Sequence, residues 1–348
     1  MIIKSNLWKE LLTRYHLFSS DVSAANKVCV SPLQYQSIFK ITGFDSEKFL
    51  QGQLSCDMRE VASDRSRLAA HCNPKGSMLS LMRLAYFKGD YYLKVHSDNA
   101  LDTIANLKKY MMFSKAELTE LENRWVAFGI FGEQAENYLY DLFQDIPQTT
   151  NAIVAADQMF AIKVFGNRYE LWMSADKARE WLAADQTQTL EKISRPVTIS
   201  LVSPKIWQSQ EITQGIPDIV PASSNQYIPQ MCNLQALQGV SFQKGCYTGQ
   251  EIITRLHFRG KLNKFLIAAS ADTDNTDQKI TIGTAVHCDD RDNIAKVLQW
   301  VSISNKTYLQ LVVNVKYAQS ALFIDKNLTL NTLEQAYTVD PALFIRKD

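Results

Sequence analysis

The spacing of apolar and polar positions divides the chain into two similar stretches and a third of different character. In the first, residues 38–41 form a short apolar run closed by Thr42-Gly43, the pattern of a strand ending in a turn. Asp45 or Ser46 then opens a helix that carries Phe49, Leu50 and Leu54 inward. Residues 68–71 and 78–87 predict two strands joined at Asn73-Pro74-Lys75-Gly76, and the turn Lys88-Gly89-Asp90 leads into a third at 91–96. A helix follows, with Leu101, Ile104, Leu107 and Met111 at helical spacing.

The second stretch repeats this order. Val126, Phe128 and Ile130 alternate as in a strand that ends at Gly132. Ala135, Tyr138, Leu139, Leu142 and Phe143 then form the apolar stripe of an amphipathic helix. A hairpin turns at Gly166-Asn167, and a last helix holds Ala178, Trp181 and Leu182. The segments FKITGFDSEKFL (39–50) and FGIFGEQAENYL (128–139) agree at five of twelve positions at an offset of 89 residues. Gly89 and Tyr92 match Gly166 and Tyr169 at an offset of 77. Two α+β units of one ancestry are therefore expected.

From Arg259 onward, residues 265–269, 282–287, 295–303 and 308–315 are strand-like, with short polar connections and no helix between them. That pattern suits a small antiparallel barrel. The acidic-polar link 272–278 reads as a surface loop. The expected fold class is α+β: two repeated, ferredoxin-like units followed by a C-terminal antiparallel β-barrel. The expected division is 1–120, 121–200, a segment 201–258 completing the body, and the barrel at 259–348.

Composition narrows the partners. The 348 residues include 37 Lys+Arg and 36 Asp+Glu, a net charge of +1, so there is no surplus of cations to wrap nucleic acid. Hydrophobic residues make up 46%, ordinary globular usage. No apolar run approaches the roughly 20 residues that span a bilayer, and the N-terminus lacks a secretory apolar core. The six cysteines, Cys29, Cys56, Cys72, Cys232, Cys246 and Cys288, contain no C-x-x-C pair, and His71, His96, His257 and His287 lack ligand-like spacing. A cytoplasmic monomer with reduced thiols, no direct nucleic-acid partner, no membrane and no metal is expected.

Chemistry concentrates in residues 227–261. Asn233 predicts the cap of a short helix ending before Gly239, with a brief strand at 240–242. Then comes Lys244-Gly245-Cys246-Tyr247-Thr248-Gly249-Gln250-Glu251. Thr248 and Glu251 have capping-box spacing, and Tyr247 and Ile252 that of a hydrophobic staple, so a helix is expected from Thr248. Cys246 would lie outside its positive end with Lys244 two residues away, and both would depress a thiol pKa. The same spacing also fits a helix cap beside an inert loop cysteine.

KGCYTGQE, preceded by Tyr227-Ile228-Pro229-Gln230 and Asn233-Leu234, resembles the signature of the YgfZ family of folate-binding proteins, relatives of the glycine-cleavage aminomethyltransferase, or T-protein. The similarity extends to Ile41-Thr42-Gly43, Gln51-Gly52-Gln53, residues 69–76 and Gly215-Ile216-Pro217. The resemblance implies a three-domain ring around a cavity for tetrahydrofolate or a folate derivative. It also implies a role beside iron–sulfur enzymes or their assembly factors, including enzymes that modify tRNA. Cys246 matches the family's essential cysteine, Arg255 the arginine after the motif, and Trp207 an aromatic lining the folate site; core packing is the alternative for Trp207. Arg255, Arg259 or Lys261 could receive the folate's carboxylates or be plain surface charge.

Two departures from the family qualify this expectation. After residues 73–76 the chain reads Ser77-Met78-Leu79-Ser80-Leu81, without the aspartates of T-protein-like enzymes, so no carboxylate near the pterin is found for acid–base work. The family's Glu-Ala-Gly is Thr213-Gln214-Gly215, with Glu211 displaced by two residues, and an aromatic expected ahead of Ile41 is Gln36, with Tyr35 adjacent. Whether the chain is an enzyme is left open, between a folate-binding accessory protein, a folate-dependent one-carbon transferase and a non-folate scaffold.

Overall fold

The computed structural model describes residues 5–14, 27–186, 198–273, 280–325 and 328–345. Two β-sheets lie face to face with helices on their outer faces, and a closed six-stranded barrel completes the molecule. The first sheet has the order Arg67–Cys72, Met78–Phe87, Asp90–His96, Gln36–Thr42, Glu117–Glu120. The second runs Ile153–Ala156, Met159–Val164, Arg168–Ser174, Trp125–Phe131, Lys27–Pro32, Thr198–Leu201. Apart from Lys27–Pro32, both sheets follow one plan: strand, helix, three-strand meander, helix, strand.

The repeat read at the offset of 89 is real at the level of backbone, whereas the match at 77 is one residue out of register, since Leu93 and Leu171 face the equivalent Phe39 and Phe128, and Tyr92 and Tyr169 point to opposite faces. Gly43 and Gly132, matched at the offset of 89, have φ of 108° and 111°. Their carbonyls accept from Ser46 N and Ala135 N, which are again 89 apart. The helices Ser46–Gln53 and Ala135–Phe143 start at this shared turn.

The N-terminal segment departs from the expected division at residue 120. Lys27–Pro32 pairs antiparallel with Trp125–Phe131 and parallel with Thr198–Leu201, inside the second sheet. Helix Asn6–Arg14 likewise buries Leu7, Trp8 and Leu11 in the core of the second unit. Sequence periodicity missed this strand and helix, and also helix Pro204–Thr213. It placed Leu101 on the inner stripe of Ser97–Met111, but Leu101 is 73% exposed; the helix turns Ala100, Ile104, Leu107 and Met111 inward instead.

In the barrel, strands Lys264–Asp272, Arg291–Ile303 and Lys306–Asn314 match expectation. The predicted strand at 282–287 is Ala285–Cys288, and the short strands Leu322–Ile324 and Leu328–Leu333, unread in the sequence, close the barrel. Most of the polar link 272–278 lies outside the described residues. Among the described residues, no helix is long and apolar enough to cross a membrane.

Between the two sheets the period of two puts aromatic rings at one end. Phe87 and Tyr92 meet Phe160 and Trp172, with Phe87–Phe160 and Phe160–Trp172 centroids 5.1 and 5.3 Å apart. Further along the same strands that inner face carries Arg83 and Lys94, which are direct cross-strand partners. Like charges so placed repel. Glu170 of the opposite sheet resolves the conflict: its Oε1 lies 3.4 Å from Arg83 Nε and 3.1 Å from Lys94 Nζ. Its Oε2 accepts the Trp172 indole N–H at 2.8 Å.

All three charges are buried, so removing one partner strands the others. We expect Glu170→Gln to lower stability by about 3–5 kcal/mol, with part recovered when Arg83→Met is added. Thermal unfolding checks this; a variant that melts with the wild type would show that the sheets do not depend on this clamp.

Candidate functional site

A cavity of about 170 Å³ opens where the inner faces of the sheets meet helix Pro204–Thr213 and the barrel. The helix starts at Ser203, whose side chain accepts from Lys205 N, with Pro204 at its first position. Trp207 and Glu211, four residues apart, share one face of this helix and both line the cavity. The Trp207 indole lies on the backbone of Gly129, where a Cβ would come within 2.2 Å of the ring. The Arg168 guanidinium stands 4.7 Å from the indole centroid and donates to Glu211 Oε1 at 2.7 Å. Trp207 is thereby covered, at 1% exposure.

The other expected cavity residues also arrive. Gln36 Nε2 donates to Asp218 Oδ2 at 3.0 Å, and Asp218 Oδ1 accepts Ile219 N at 2.8 Å. Burial, then the carboxylates of Glu211 and Asp218, raise the Tyr35 phenol well above its ordinary pKa, so it stays neutral. Burial works against the charge of Glu170, but Lys94, Arg83 and the Trp172 indole outweigh it and hold the carboxyl below its usual value.

No aspartate follows the turn at 73–76, but Glu170, Glu211 and Asp218 all line the cavity. Glu211 is among the residues to which the resemblance points; Glu170 and Asp218 are not, because they come from the second sheet and the loop after the helix rather than from the turn at 73–76. Each is engaged by a cation or amide. Arg83, Lys94 and His96 line the same cavity. Charges at inward positions of largely apolar strands (MLSLMRLAYF, DYYLKVH, RYELWMS) were the available signal for Arg83, Lys94 and Glu170.

The KGCYTGQE segment forms a second locus, outside the cavity lining. Lys244 is buried, and its Nζ donates to the carbonyls of Leu54 and Cys56 at 2.7 and 2.6 Å. Thr248 N donates to Gly52 O at 3.2 Å. Gly249, with φ of 85°, presses on the turn at 73–76, and a Cβ there would lie 2.5 Å from Asn73 O. Three of the segments that carry the family resemblance thus meet in one place. Tyr247 is buried with Cys72, Met78, Leu81 and Tyr227, and Leu81 also lines the cavity.

Several local expectations fail here, each to tertiary packing. The helix is Gln250–Arg259, two residues later than expected, with Gly249 at its N-cap and no side-chain cap bond, so Thr248 and Glu251 form no capping box. Asn233 does not start a helix. It ends the 3₁₀ turn Pro229–Cys232 in left-handed geometry, and its amide bonds both backbone groups of Leu266 in the barrel. Residues 240–242 are not a strand. None of the six cysteines forms a disulfide, and Cys246 alone among them is exposed. Lys244 points inward to carbonyls and cannot serve as the thiol's neighbouring cation. Arg255 is exposed on Gln250–Arg259 and does not reach the cavity.

Burial lowers the Lys244 pKa to about 8, against the pull of Cys56 and Asp57. Between about pH 8 and the unfolded value near 10.4 the unfolded chain binds more protons here, so this residue makes stability rise with pH across that window. We expect the stability of the wild type relative to Lys244→Met to rise from pH 8 to 10. Denaturant midpoints at pH 7, 8, 9 and 10 check this, and a pH-independent gap would refute a depressed lysine.

No protein-family model matches the chain. The tRNA-modifying protein YgfZ of Escherichia coli is 36% identical over 253 residues, covering 72% of this chain and 74% of that protein. The protein of the same name from Shigella flexneri matches to the same extent. Among solved structures, glycine cleavage system aminomethyltransferase T from Bartonella henselae superposes with a TM-score of 0.70 over 96% of this chain and 97% of that one, at 13% identity, a likeness of fold. With that identity over that much of its length, and with the motif segments gathered at one locus, the chain belongs to the YgfZ family.

Proposed function

We propose that this chain is a tetrahydrofolate-binding accessory protein that supports iron–sulfur enzymes and, through them, tRNA modification. The observation that carries the reading is the lining of the central cavity: carboxylates from one side, cations from the other. A pterin presents amino and ring N–H donors, for which Glu211 and Asp218 are acceptors. The carbonyl edge and the glutamate carboxylates of a folate call for donors, which Arg83 and Lys94 supply. The name of the curated relatives, tRNA-modifying protein, supports the second half of the proposal.

Binding is favoured over one-carbon transfer because every cavity carboxylate already has a partner within the protein. Glu170 lies against Arg83 and Lys94, Glu211 is bonded to Arg168, and Asp218 is held by the Gln36 amide and a backbone N–H. Cys246 is the thiol of the proposed role. It is exposed and outside the cavity lining, which suits action on a protein partner rather than on the folate.

Calorimetric titration with tetrahydrofolate should show one saturable site, weakened about tenfold or more in Asp218→Asn, which loses a charged acceptor. No saturable heat from the wild type would reject the folate reading. In cells lacking the chain, Cys246→Ala should fail to restore an iron–sulfur tRNA-modifying activity while binding tetrahydrofolate as the wild type does. Full restoration would remove the thiol from the account.

A further inference from the structure

The barrel contributes an aromatic side chain to the cavity that neither the motif nor the family resemblance singles out. Trp300 lines the cavity and is 40% exposed. Its strand, Arg291–Ile303, changes register between Val297 and Gln299. Bulges of this kind re-aim the side chains that follow them, and they concentrate beside functional sites. Leu298 is wholly buried in the core shared with Leu81 and Tyr247. Gln299 Nε2 donates to Ile216 O at 3.0 Å and to Gln310 Oε1 at 2.8 Å, tying the strand to the segment after helix Pro204–Thr213. Trp300 is the next residue, and it is left open to the cavity.

A half-exposed indole gives up burial that the barrel could otherwise gain. The other aromatic side chains of the lining are not open in this way: Tyr35 is buried, and Trp207 lies between neighbours that include Gly129 and Arg168. The cavity's charged groups, Arg83, Lys94, Glu170, Glu211 and Asp218, belong to the sheets, the helix and the loop after it. Trp300, Ile282 and Gln299 come from the barrel side, and Trp300 and Ile282 give that side its apolar surface. A ligand with a polar fused ring at one end and a flat aryl ring in its middle would match this division.

Resting on the folate reading, we infer that Trp300 is the stacking platform for the aminobenzoyl ring of the bound folate, the one flat group of that ligand outside the pterin. Stacking of one flat π-face on another needs no donor or acceptor match, only an open ring at the right wall. Trp300 is then a binding residue supplied by the third domain, and the barrel is part of the ligand site rather than a remote addition.

Calorimetry with two ligands tests this, tetrahydrofolate and 6-methyltetrahydropterin, the second lacking the aminobenzoyl ring. Trp300→Ala should weaken tetrahydrofolate about tenfold or more, and Trp300→Phe should recover most of the loss. The affinity for 6-methyltetrahydropterin should change less than threefold in either variant. Circular dichroism and thermal unfolding confirm that the variants, altered at a half-exposed site, are folded. If wild type binds tetrahydrofolate and Trp300→Ala binds it equally well, the platform is refuted while the folate reading stands. Equal losses for both ligands would also refute the aryl placement. If wild type binds neither ligand, the folate reading falls and this inference falls with it.

Discussion

Two like charges facing each other across neighbouring strands, buried and away from water, cannot persist alone. Arg83 and Lys94 are such a pair, and Glu170 is the counter-charge that lets the first sheet close on the second. Desolvation makes this arrangement costly, so it holds only if the carboxylate arrives from the other sheet in one register. Arg83 adds a second tie across the sheets through Asn151 Oδ1 at 2.9 Å. Leu93 opposite Phe39 and Leu171 opposite Phe128 are the equivalent positions of the two units, so the mate of Glu170 is Tyr92, an aromatic residue on the same inner face. The clamp is thus a break in the symmetry of the two units, and it lies where their interface changes from aromatic to polar. The cavity begins at that change, because charged walls do not collapse on each other as Phe87, Phe160 and Trp172 do.

The third wall depends on the end of helix Pro204–Thr213. The last carbonyls of any helix lack intrahelical donors. Here the buried amide of Gln310, in the barrel strand Lys306–Asn314, donates to Ile212 O at 3.2 Å and Ile216 O at 3.0 Å. Tyr337 Oη donates to Gly215 O at 2.7 Å. The barrel therefore fixes the helix that presents Trp207 and Glu211, while the strand beside Gln310 presents Trp300. One set of polar contacts aligns the walls from which a ligand would be held.

What the sequence made legible was whatever local periodicity determines. The strand Trp125–Phe131, the helix Ala135–Phe143 and the hairpin at Gly166 follow from residue spacing, and so does the repeat. Lys27–Pro32 could not be read this way, since its place depends on partners about 100 and 170 residues away. The capping box at Thr248 was sound as local chemistry and lost to packing: Gly249 must take positive φ to seat against Asn73, which delays the helix to Gln250. Lys244 was paired with Cys246 because they are neighbours in sequence, whereas two carbonyls near the end of helix Ser46–Gln53 are the better partners for a buried ammonium. For the cavity, Tyr35, Gln36, Trp207 and Glu211 were reachable through family resemblance. Arg83, Lys94 and Glu170 stood out as charges in apolar strands, but their mutual contact is a product of tertiary structure.

The separation of the cavity from the thiol constrains any joint role for them. Cys246 opens to solvent, while the cavity lies among the inner sheet faces, the helix and the barrel. Between them stands packed apolar core, in which Tyr247 of the motif and Leu81 of the cavity wall belong to one cluster. A ligand in the cavity then has no direct access to the sulfur, and any influence of one on the other passes through that cluster or through the backbone of residues 244–249. Those residues are held at Leu54, Cys56, Gly52 and Asn73, all in the first unit. The anchoring keeps the loop around an outward-facing thiol in a defined place whether or not the cavity is filled. The outward-facing thiol and the enclosed cavity are thus two separate features of the chain, one held open to solvent by the first unit and the other walled by the sheets, the helix and the barrel.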